Sequence, residues 1–596
     1  MNDLPYDLNP SQFEAVKHIN GPLLITAGAG SGKTKTLTSR LLFLLSNNIP
    51  GHEIVAITFT NKAAEEMKRR ATAIFTDQQN IPFIGTFHAF GARILRKEAI
   101  AFDRSGSFSI FDESDAIKLI KQILKNGDFD KIQYPFGKVR RQISKAKDEL
   151  SSSFADENVE YIYNQYETQL KRQNAFDFDD LIGKPVRLFE SSPQKLEEYQ
   201  SRFRYFLVDE YQDINTAQYR LIKLLSDKEK NLSVVGDDHQ SIYSFRSADF
   251  RNFLNFERDF PNAKIVILDQ NYRSTKNIVS ASSAVIHHNK NQRPKTLWTN
   301  NEEGSLIHIQ GFYSAEREAE WLALNISDNQ NTAVLYRTNA QSRPIEQACI
   351  FNGIPYFIYG GLRFYDRKEI KDIVSAMRYA TNPADELSKE RLLKEFKKTR
   401  VRPIIDALPE MASSLSPVEF IGYLLKETAY LESLRNDKNF EERQENIGEL
   451  ISFASGFSSV DELIERISLL ESTDQPKSIG QEKQRSDSLQ NTTASQNNKS
   501  PIRLMTIHMA KGLEFDNVFL VGASENILPH ERAIFKEDDI EEERRLMYVA
   551  MTRAKKKLSI SFFRNASRFL YEIPPELVVF ANSNFAFSDE DALYLD

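Results

Sequence analysis

One glycine-rich segment has the residue types and spacing of a loop that binds phosphate. It reads Ala27-Gly28-Ala29-Gly30-Ser31-Gly32-Lys33-Thr34, and it follows an apolar run and precedes an amphipathic stretch. Glycines let backbone amides approach phosphate oxygens, and the N-terminus of the following helix adds partial positive charge. Lys33 would reach the β- and γ-phosphates, and the Thr34 hydroxyl would hold Mg²⁺. We therefore predict a nucleoside triphosphate site, with Ala27 standing where the strict pattern has glycine.

Two adjacent carboxylates, Asp209 and Glu210, follow the apolar run at residues 203–208. The carboxyl ends of parallel strands form the ligand-binding edge of an open α/β sheet. An Asp-Glu pair alone is more often a solvated turn, but the phosphate loop favours a catalytic role. Asp209 would then hold Mg²⁺, and Glu210 would orient or deprotonate the attacking water. The two features together predict an NTPase.

Short apolar runs bounded by Gly, Asp or Asn predict the buried parallel strands of an α/β fold. These runs are residues 23–26, 54–57, 206–208, 232–235, 265–268, 333–336 and 517–521. Charged, helical patterns at residues 106–184 and 376–475 predict insertions. Residues 473–500 are rich in Ser, Gln, Asn and Lys, which is typical of a disordered linker, and residues 587–591 form an acidic tail.

The composition is that of a folded, multidomain protein. Of 596 residues, 41% are hydrophobic and 27% are charged, so the chain can bury enough apolar surface to fold. Lys and Arg number 77 against 84 Asp and Glu, a net charge of −7, so any nucleic-acid site must be a local patch. The single cysteine, Cys349, excludes an internal disulfide framework and a multi-cysteine metal site. With no signal-peptide pattern and no spanning apolar run, we expect a cytoplasmic protein without membrane contact.

Five further motifs carry a resemblance to a known family. They read Asp209-Glu210-Tyr211-Gln212-Asp213, Gly236-Asp237-Asp238-His239-Gln240-Ser241-Ile242-Tyr243, Gln270-Asn271-Tyr272-Arg273-Ser274-Thr275, Thr506-Ile507-His508-Met509-Ala510-Lys511-Gly512-Leu513-Glu514-Phe515 and Tyr548-Val549-Ala550-Met551-Thr552-Arg553-Ala554. In this order they resemble the motifs of the UvrD/PcrA/Rep family of superfamily 1 DNA helicases, over residues 8–570. The resemblance implies an α/β protein with two RecA-like P-loop motor domains, parallel sheets flanked by helices, with ATP at their interface. Each motor domain would carry a mostly helical inserted subdomain.

The resemblance also implies where these domains begin and end. The first motor domain would comprise residues 1–105 and 185–267, with its insertion at residues 106–184. The second would comprise residues 268–375 and 501–575, with its insertion at residues 376–500 and a C-terminal tail at residues 576–596.

Family likeness assigns the groups that contact the nucleotide. Gln12 would read adenine, Tyr272 would stack on the base, and Glu514 would contact the sugar. The complete predicted nucleotide site is Gln12, Ala27, Gly28, Ala29, Gly30, Ser31, Gly32, Lys33, Thr34, Lys35, Tyr272, Arg273, Glu514 and Arg553, with Thr34 and Asp209 as the Mg²⁺ ligands.

The same likeness supplies the groups that promote hydrolysis. Gln240 would sense the γ-phosphate, and Arg273 and Arg553 would act as arginine fingers. A guanidinium that neutralises charge on the phosphoryl oxygens is worth ~10³ to 10⁵ in rate. If the second domain supplies the fingers, hydrolysis depends on domain closure, which couples chemistry to motion.

The predicted DNA track combines aromatic stacking surfaces with phosphate-binding groups. Stacking contributes ~1–3 kcal/mol per base and is indifferent to base sequence, which suits a motor that steps along any strand. For Phe87 and Phe90, aromatic burial favours core packing instead. The residues that the family likeness places on single-stranded DNA are Phe59, Thr60, Asn61, Lys62, Thr86, Phe87, His88, Tyr243, Phe245, Arg246, Thr506 and His508.

The chain departs from the family pattern at three places. Phe245 stands where the family usually has Trp, and Lys35 where it usually has Arg; both keep the chemical type. The basic residues 396–403 occupy the region where the family carries a Gly-Ile-Gly turn that touches duplex DNA. Translocation on single strands is therefore better supported than strong duplex unwinding, although the basic run offers another way to contact phosphates.

We expect an ATP-dependent DNA helicase or translocase that moves 3′ to 5′, with the direction taken from the resemblance. Its partners would be single-stranded DNA, single-strand/double-strand junctions, and repair or replication proteins. One alternative is the motor subunit of a helicase–nuclease complex, for which the stretch after Arg553 leaves no room for a nuclease domain. Others are a single-strand translocase that strips proteins with weak unwinding, an RNA helicase, and a noncatalytic nucleic-acid-binding protein.

Overall fold

The computed structural model describes residues 7–72, 81–130, 133–151, 153–326, 331–359, 364, 367–383, 385–435, 437, 439–464, 467 and 501–581. The chain divides into two compact units. One comprises Met1–Gly304 and Glu537–Thr552, and the other comprises Ser305–Lys536 and Arg553–Asp596.

The described part of the first unit is built on parallel strands. They are β1 (Leu23–Ala27), β2 (Ile54–Ile57), β3 (Phe83–Gly85), β4 (Ser109–Phe111), β5 (Ala175–Asp177), β6 (Tyr205–Val208), β7 (Leu232–Gly236) and β8 (Lys264–Leu268). Six of them form a sheet in the order β3-β2-β6-β7-β1-β8, and β4 pairs with β5 separately. In the sheet β1 and β7 are wholly buried and pair with Leu24 opposite Val234, so the loops after both strands meet at one edge.

Helices cover this sheet and form the insertion. They span Pro10–Lys17, Lys33–Ser46, Asn61–Thr72, Phe87–Glu98, Glu113–Asn126, Phe136–Asp148, Glu157–Arg172, Asp180–Ser191, Pro193–Arg202, Thr216–Ser226, Arg251–Leu254, Phe256–Asp259, Lys276–Ile286 and Glu537–Met551. The helix Lys33–Ser46 forms because Leu37, Leu41 and Leu44 recur at helical spacing, and all three are fully buried. This helix follows the phosphate loop directly and holds it against the sheet.

The helical insertion has its own core and a buried ionic junction. Lys147, at the end of the helix Phe136–Asp148, lies 2.9 Å from a carboxylate oxygen of Asp177 and of Asp180, and 2.7 Å from Glu167. Because a buried charge must be paired, this cluster fixes the insertion to β5 and the helix that follows it.

The second unit also contains one large parallel sheet. Its described strands are β9 (Ile307–Phe312), β10 (Thr332–Tyr336), β11 (Tyr356–Ile358), β12 (Ile502–Thr506), β13 (Phe515–Leu520), β14 (Ala554–Phe563) and β15 (Val578–Phe580). They lie in the order β11-β12-β10-β13-β14-β9-β15. The helices span Ala315–Asn325, Ser342–Phe351, Lys368–Thr381, Glu386–Glu395, Lys398–Val401, Leu408–Ser414, Pro417–Thr428, Tyr430–Leu434, Phe440–Ala454 and Ile507–Ala510. The helices between β11 and β12 pack around an apolar core of their own.

The predicted α/β class with parallel sheets flanked by helices is confirmed, and all seven predicted strands are present. Two stretches that are predicted in the second motor domain, residues 268–304 and 537–552, belong to the first compact unit. Residues 268–304 lie in the first unit, because the Asn271 side chain bonds to the Ala29 carbonyl at 2.7 Å and the Tyr272 amide to Gly30 at 3.0 Å. The predicted tail begins with strand β15, which pairs with β9.

The predicted linker at residues 473–500 and the acidic stretch at 587–591 lie outside the described residues. Among the helices that the structure describes, none has the length and apolar character needed to cross a membrane.

Candidate functional site

The phosphate loop joins the end of β1 to the 14-residue helix Lys33–Ser46. Gly30 (φ 69°) and Gly32 (φ 84°) adopt left-handed backbone conformations that favour glycine. A Cβ at Gly30 would also lie 2.7 Å from the Arg273 Cβ, which real contacts never show. Ala27, in contrast, is the last residue of β1 with negative φ, so this position accepts a side chain. The loop therefore keeps glycine where the backbone requires it and presents amides at a helix N-terminus.

Lys33 is held at the phosphate position by oxygen atoms. Its Nζ lies 3.4 Å from the Gly28 carbonyl oxygen and 3.7 Å from Asp237 Oδ2. Asp237, just after β7, also accepts a 2.5 Å hydrogen bond from Gln240 Nε2 and pairs with Lys295 at 2.8 Å. Burial alone would raise the pKa of Asp237, but Lys295 and Lys33 hold this pKa far below its usual range. The two ammonium groups thus favour the ionised form of Asp237, whose carboxylate contacts both Lys33 and Gln240.

Thr34 and Asp209 are placed to share a cation. The Thr34 hydroxyl donates to Asp209 Oδ2 at 3.4 Å, and Asp209 follows directly from β6. Burial, together with the neighbouring Glu210 carboxylate, raises the pKa of Asp209 to about 7. A hydroxyl and a desolvated carboxylate at a phosphate loop are the donors that Mg²⁺ takes in NTP sites, so these residues fit the predicted ion.

Glu210 has an unusual backbone conformation. Its φ is 51°, in the left-handed region that residues with a Cβ rarely adopt. Its carboxylate accepts a 2.6 Å hydrogen bond from Gln212 Nε2, and Gln212 Oε1 accepts the amide of Asp237 at 2.9 Å. Gln212 therefore links the Glu210 carboxylate, which follows β6, to the backbone of the loop after β7. Strained conformations of this kind concentrate at functional sites.

The predicted adenine end is built from the first helix and the segment after β8. Asn9 begins the helix Pro10–Lys17 with a capping box, in which Gln12 Oε1 accepts the Asn9 amide. Gln12 Nε2 donates to the Ser31 carbonyl of the phosphate loop at 3.0 Å. Tyr272 accepts a 2.8 Å hydrogen bond from Asn9 Nδ2 and is 49% exposed, so its ring is open to a base. The Lys35 ammonium donates to the Asp7 carbonyl.

Arg273 is oriented by its neighbours. Asn271 Oδ1 accepts the backbone amides of Arg273 and Ser274, both at 2.8 Å, while Asn271 Nδ2 bonds to the phosphate loop. Arg273 Nη1 donates to the Thr552 carbonyl at 3.1 Å. The structure thus brings this predicted finger next to the loop.

Two predicted nucleotide contacts, Arg553 and Glu514, belong to the second unit. Arg553 is buried, and its Nη1 donates to the Leu513 carbonyl at 3.1 Å. Glu514 pairs with Lys555 at 2.6 Å. The loop before β13 and the start of β14 therefore hold these two side chains together.

Four residues of the site are not among those predicted from the sequence: Gln212, Asp237, Asn271 and Lys295. The first three lie within the quoted motifs, so their placement there was an available signal. Lys295 had no such signal, because its contacts with Asp237 and Asp238 arise only in the folded chain.

An aromatic surface lies in the first unit, after the ends of β2 and β7. The rings of Phe59 and Tyr243 are stacked, with centroids 5.6 Å apart and planes 17° apart. Phe245 follows at 5.9 Å from Tyr243 and is 64% exposed. This surface can accept a base on an open ring face.

Three of the predicted contacts with single-stranded DNA are threonines. Each of them stands between the end of a β-strand and the start of a helix. Thr60 and Thr86 accept the amides of Ala63 and Ala89 in the first unit, and Thr506 accepts the Met509 amide in the second. Each threonine therefore stands at a helix N-terminus, where backbone amides attract phosphate.

The remaining predicted contacts differ in exposure. Phe87 is 4% exposed and packs in the core with Phe90. Its ring is therefore not accessible to a base, and it is a core residue, as aromatic burial predicts. The His88 ring lies against the Phe178 ring, and burial lowers the pKa of His88, which favours its neutral form. Asn61 is exposed, and His508 lies in the helix Ile507–Ala510 of the second unit. The side chains of Lys62 and Arg246 lie outside the described part.

Comparison with known proteins agrees with the motif pattern. A family model described as the UvrD/REP helicase N-terminal domain matches residues 8–261, and one described as the UvrD-like helicase C-terminal domain matches residues 266–421 and 419–565. The ATP-dependent DNA helicase PcrA of Staphylococcus epidermidis is 39% identical over 640 residues, covering 97% of this chain and 88% of that protein. PcrA of Bacillus subtilis is 38% identical, with 97% and 87% covered. PcrA of Staphylococcus aureus is also 38% identical, with 97% and 88% covered.

Proposed function

The chain belongs to the UvrD-like helicase family and is an ATP-dependent DNA helicase, and we propose that it moves 3′ to 5′ along single-stranded DNA. The direction is taken from the family resemblance, and one loop supports the coupling of hydrolysis to movement along the strand. Gln240, bonded to Asp237 beside Lys33, is separated only by residues 241 and 242 from the stacked ring of Tyr243. A change at the γ-phosphate therefore has a short covalent route to the surface that would hold a base.

In the proposed hydrolysis, water attacks the γ-phosphorus and the bond to the bridging oxygen of ADP breaks. Glu210, aligned by Gln212, orients the water and takes its proton. Lys33 exchanges the Gly28 carbonyl and Asp237 for phosphate oxygens. Because the charge on the transferred group spreads over its oxygens, an ammonium at this point stabilises the transition state.

Thr34 and Asp209 would hold Mg²⁺, which neutralises phosphate oxygens when it is bound. Arg273 and Arg553 are the proposed arginine fingers, and Gln240 the γ-phosphate sensor. The guanidinium groups of Arg273 and Arg553 and the side-chain amide of Gln240 would donate to phosphate oxygens whose charge develops during transfer. Replacing these residues should therefore lower kcat more than ATP affinity.

Gln12, Tyr272 and Lys35 are proposed to bind the adenine, and Glu514 the sugar. The Gln12 amide already bonds to Asn9 and Ser31. Adenine recognition by Gln12 therefore requires an exchange of hydrogen bonds at the phosphate loop.

The proposed DNA track uses Phe59, Tyr243 and Phe245 as its stacking surface. Phosphates would meet the threonines that begin helices, and the other proposed DNA contacts are Asn61, Lys62, His88, Arg246 and His508. Stacking is indifferent to base identity, which suits movement along any strand.

A second candidate is a translocase that strips proteins and unwinds weakly. The basic segment, defined as residues 397–402, replaces the family's glycine turn, and Lys397, Lys398, Arg400 and Arg402 are all exposed. Within the described residues these four side chains have no hydrogen-bond or ion-pair partner. The buried Phe396, 4.5 Å from the Tyr430 ring, anchors the segment. The loss of the glycine turn favours this second candidate, whereas for the helicase we propose that the same cations contact duplex phosphates at a junction.

From the family resemblance, we propose a cytoplasmic enzyme of DNA repair or replication restart that works at single-strand/double-strand junctions. We propose the motor domains at residues 1–105 with 185–267 and at 268–375 with 501–575, each with a helical insertion, as functional domains whose limits differ from those of the compact units at residues 268–304 and 537–552.

The test is steady-state ATP hydrolysis without polynucleotide, with single-stranded DNA and with single-stranded RNA, at one fixed salt concentration. Strong stimulation by DNA alone is the expected result, followed by unwinding of a duplex with a 3′ tail and not of one with a 5′ tail. Equal stimulation by RNA, or unwinding from the 5′ tail, would reject this proposal.

A further inference from the structure

The helix Glu537–Met551 reaches the aromatic loop, defined as residues 243–247, through one carboxylate. Glu542 Oε1 accepts the backbone amide of Ser244 at 3.1 Å, and Glu542 Oε2 accepts the Ser244 hydroxyl. Both oxygens thus hold one residue of the turn between Tyr243 and Phe245. A carboxylate with two donors on one residue fixes orientation as well as distance.

This contact is not required to satisfy a buried group. Ser244 is exposed, and water can bond to its amide and hydroxyl in the absence of Glu542. Glu542 is partly buried, so its carboxylate gives up hydration to make the contact. An ion that is desolvated to hold an exposed serine is better explained by positioning than by folding stability.

The start of the helix is anchored within the first unit. Glu541 Oε1 accepts the Lys290 amide at 2.7 Å, and its carbonyl accepts Asn289 Nδ2 at 2.9 Å. The Arg545 guanidinium lies 4.3 Å from the Phe250 ring, just beyond the aromatic loop. The helix and the loop are therefore packed as one piece at this end.

The other end of the helix reaches the nucleotide machinery. The Tyr548 ring packs edge-on against His239, with centroids 5.6 Å apart, and His239 lies between Asp237 and the sensor Gln240 in the chain. After the helix, the Thr552 carbonyl accepts Arg273, and the next residue in the chain is Arg553. Nine helical residues, 543–551, thus separate Glu542 from Thr552, and the helix rises roughly 14 Å from Glu542 to its end at Met551.

We propose that Glu542 is a positioning residue that couples occupancy of the aromatic loop by a DNA strand to the arginines that promote hydrolysis. A base that stacks on Tyr243 and Phe245 displaces Ser244. Glu542 passes this displacement to the helix Glu537–Met551. The helix in turn positions the Thr552 carbonyl that accepts a hydrogen bond from Arg273. In this proposal Glu542 acts through Ser244 and the helix, and not by direct contact with ATP or DNA. The inference rests on the proposed helicase function and deepens it by naming the contact through which DNA stimulates the ATPase.

The test compares kcat for ATP with and without saturating oligo(dT), alongside the dissociation constant for fluorescently labelled oligo(dT). For Glu542→Ala, the ratio of stimulated to basal kcat falls about 5-fold or more, because the substitution removes the carboxylate that couples the loop to the helix. Strand affinity changes little, since the stacking rings remain. Glu542→Gln recovers most of the ratio, because its amide can still accept from the Ser244 amide and bond to the Ser244 hydroxyl.

Matched controls separate coupling from general disturbance. Glu537→Gln removes the Lys290 ion pair on the same helix, away from the aromatic loop, and keeps the wild-type ratio. Ser244→Ala removes one of the two bonds and lowers the ratio less than Glu542→Ala; in the double variant the two losses do not add. Since Ser244 is exposed, its variant tests the contact even if Glu542→Ala fails to fold.

Three results would overturn the inference. They are a wild-type ratio in Glu542→Ala, equal losses in Glu542→Ala and Glu542→Gln, and additive losses in the double variant. A wild-type enzyme that DNA does not stimulate would instead reject the proposed function itself.

Discussion

Lys295 Nζ lies 2.8 Å from Asp237 Oδ1, and both side chains are fully excluded from solvent. The same ammonium lies 2.5 Å from Asp238 Oδ1. One buried lysine thus balances two carboxylates that flank the phosphate site. Since Asp237 also places Lys33 and Gln240, the stability of the fold and the geometry of catalysis depend on the same cation.

Replacing this lysine should therefore destabilise the protein. Lys295→Met keeps a side chain of similar length but removes the buried cation shared by two buried carboxylates, so we expect the free energy of unfolding to fall by ~3–5 kcal/mol in urea titration. ATP turnover should fall as well, because Asp237 loses its fixed position. Lys290→Met, which removes a solvent-exposed ion pair, is the control and should change little. A loss of stability no larger than that of the control would show that the buried ion triad is unimportant.

Lys33→Ala should abolish ATP hydrolysis while leaving single-strand binding intact. Lys33 contacts the phosphate loop and Asp237, and the aromatic surface is made by other residues. Turnover measured by phosphate release and strand affinity measured by fluorescence anisotropy check the two halves of this prediction. Preserved turnover would mean that the phosphate site is misassigned.

Arg553→Ala should lower kcat by ~10³-fold or more while ATP affinity changes far less, because a finger acts on charge that develops in the transition state. The matched variant Arg553→Lys keeps the charge but loses the planar donors, and should recover little. Pre-steady-state phosphate release together with nucleotide titration separates kcat from affinity. An unchanged kcat would remove Arg553 from the finger role.

The aromatic surface should set strand affinity. Tyr243→Ala with Phe245→Ala should weaken oligo(dT) binding by ~1–3 kcal/mol for each base that no longer stacks, with little effect on basal ATPase. Phe245→Trp should strengthen binding, because the larger ring offers more stacking area at an exposed position. Phe87→Leu, a change in the core, is the contrast: it should affect stability and not affinity. If the double variant keeps full stimulation by DNA, the proposed track is wrong.

The basic segment should govern junction binding. Replacing Lys397, Lys398, Arg400 and Arg402 with Ala should weaken binding to a tailed duplex more than binding to oligo(dT). For each duplex phosphate that the variant no longer neutralises, the slope of log affinity against log salt should become shallower by ~0.9. Lys228→Ala, near the amino-terminal edge of the first sheet, serves as the control. Equal weakening on both substrates would exclude a duplex-specific interaction.

The strands that were predicted are those whose signal is local. β1, β2 and β7 are short apolar runs that end in Gly, Ala or a polar turn, and burial on both faces makes such runs continuous. β14 was not predicted, because its first half carries Lys555, Lys556 and Lys557 and therefore reads as a solvated segment. β15 has only three residues and depends on pairing with β9.

The candidate site shows the same division. Phosphate-loop geometry follows from glycine spacing within eight residues, so the sequence was sufficient. The Lys295–Asp237 pair joins residues that are remote in the chain, and its partner choice is decided by tertiary packing. Tertiary packing also decides the difference in exposure between Phe245 and Phe87: Phe87 begins a helix that packs into the core, whereas Phe245 lies in a short turn after β7.

The left-handed backbone at Glu210 also bears on how this protein can change. A residue with a Cβ in that conformation costs roughly 1–2 kcal/mol relative to glycine, and the fold accepts this cost at the residue proposed to orient water. Glycine there would give a sturdier protein without its base. Selection for thermal stability alone would therefore favour glycine at position 210 and yield an inactive protein. Only selection for ATP turnover retains the glutamate.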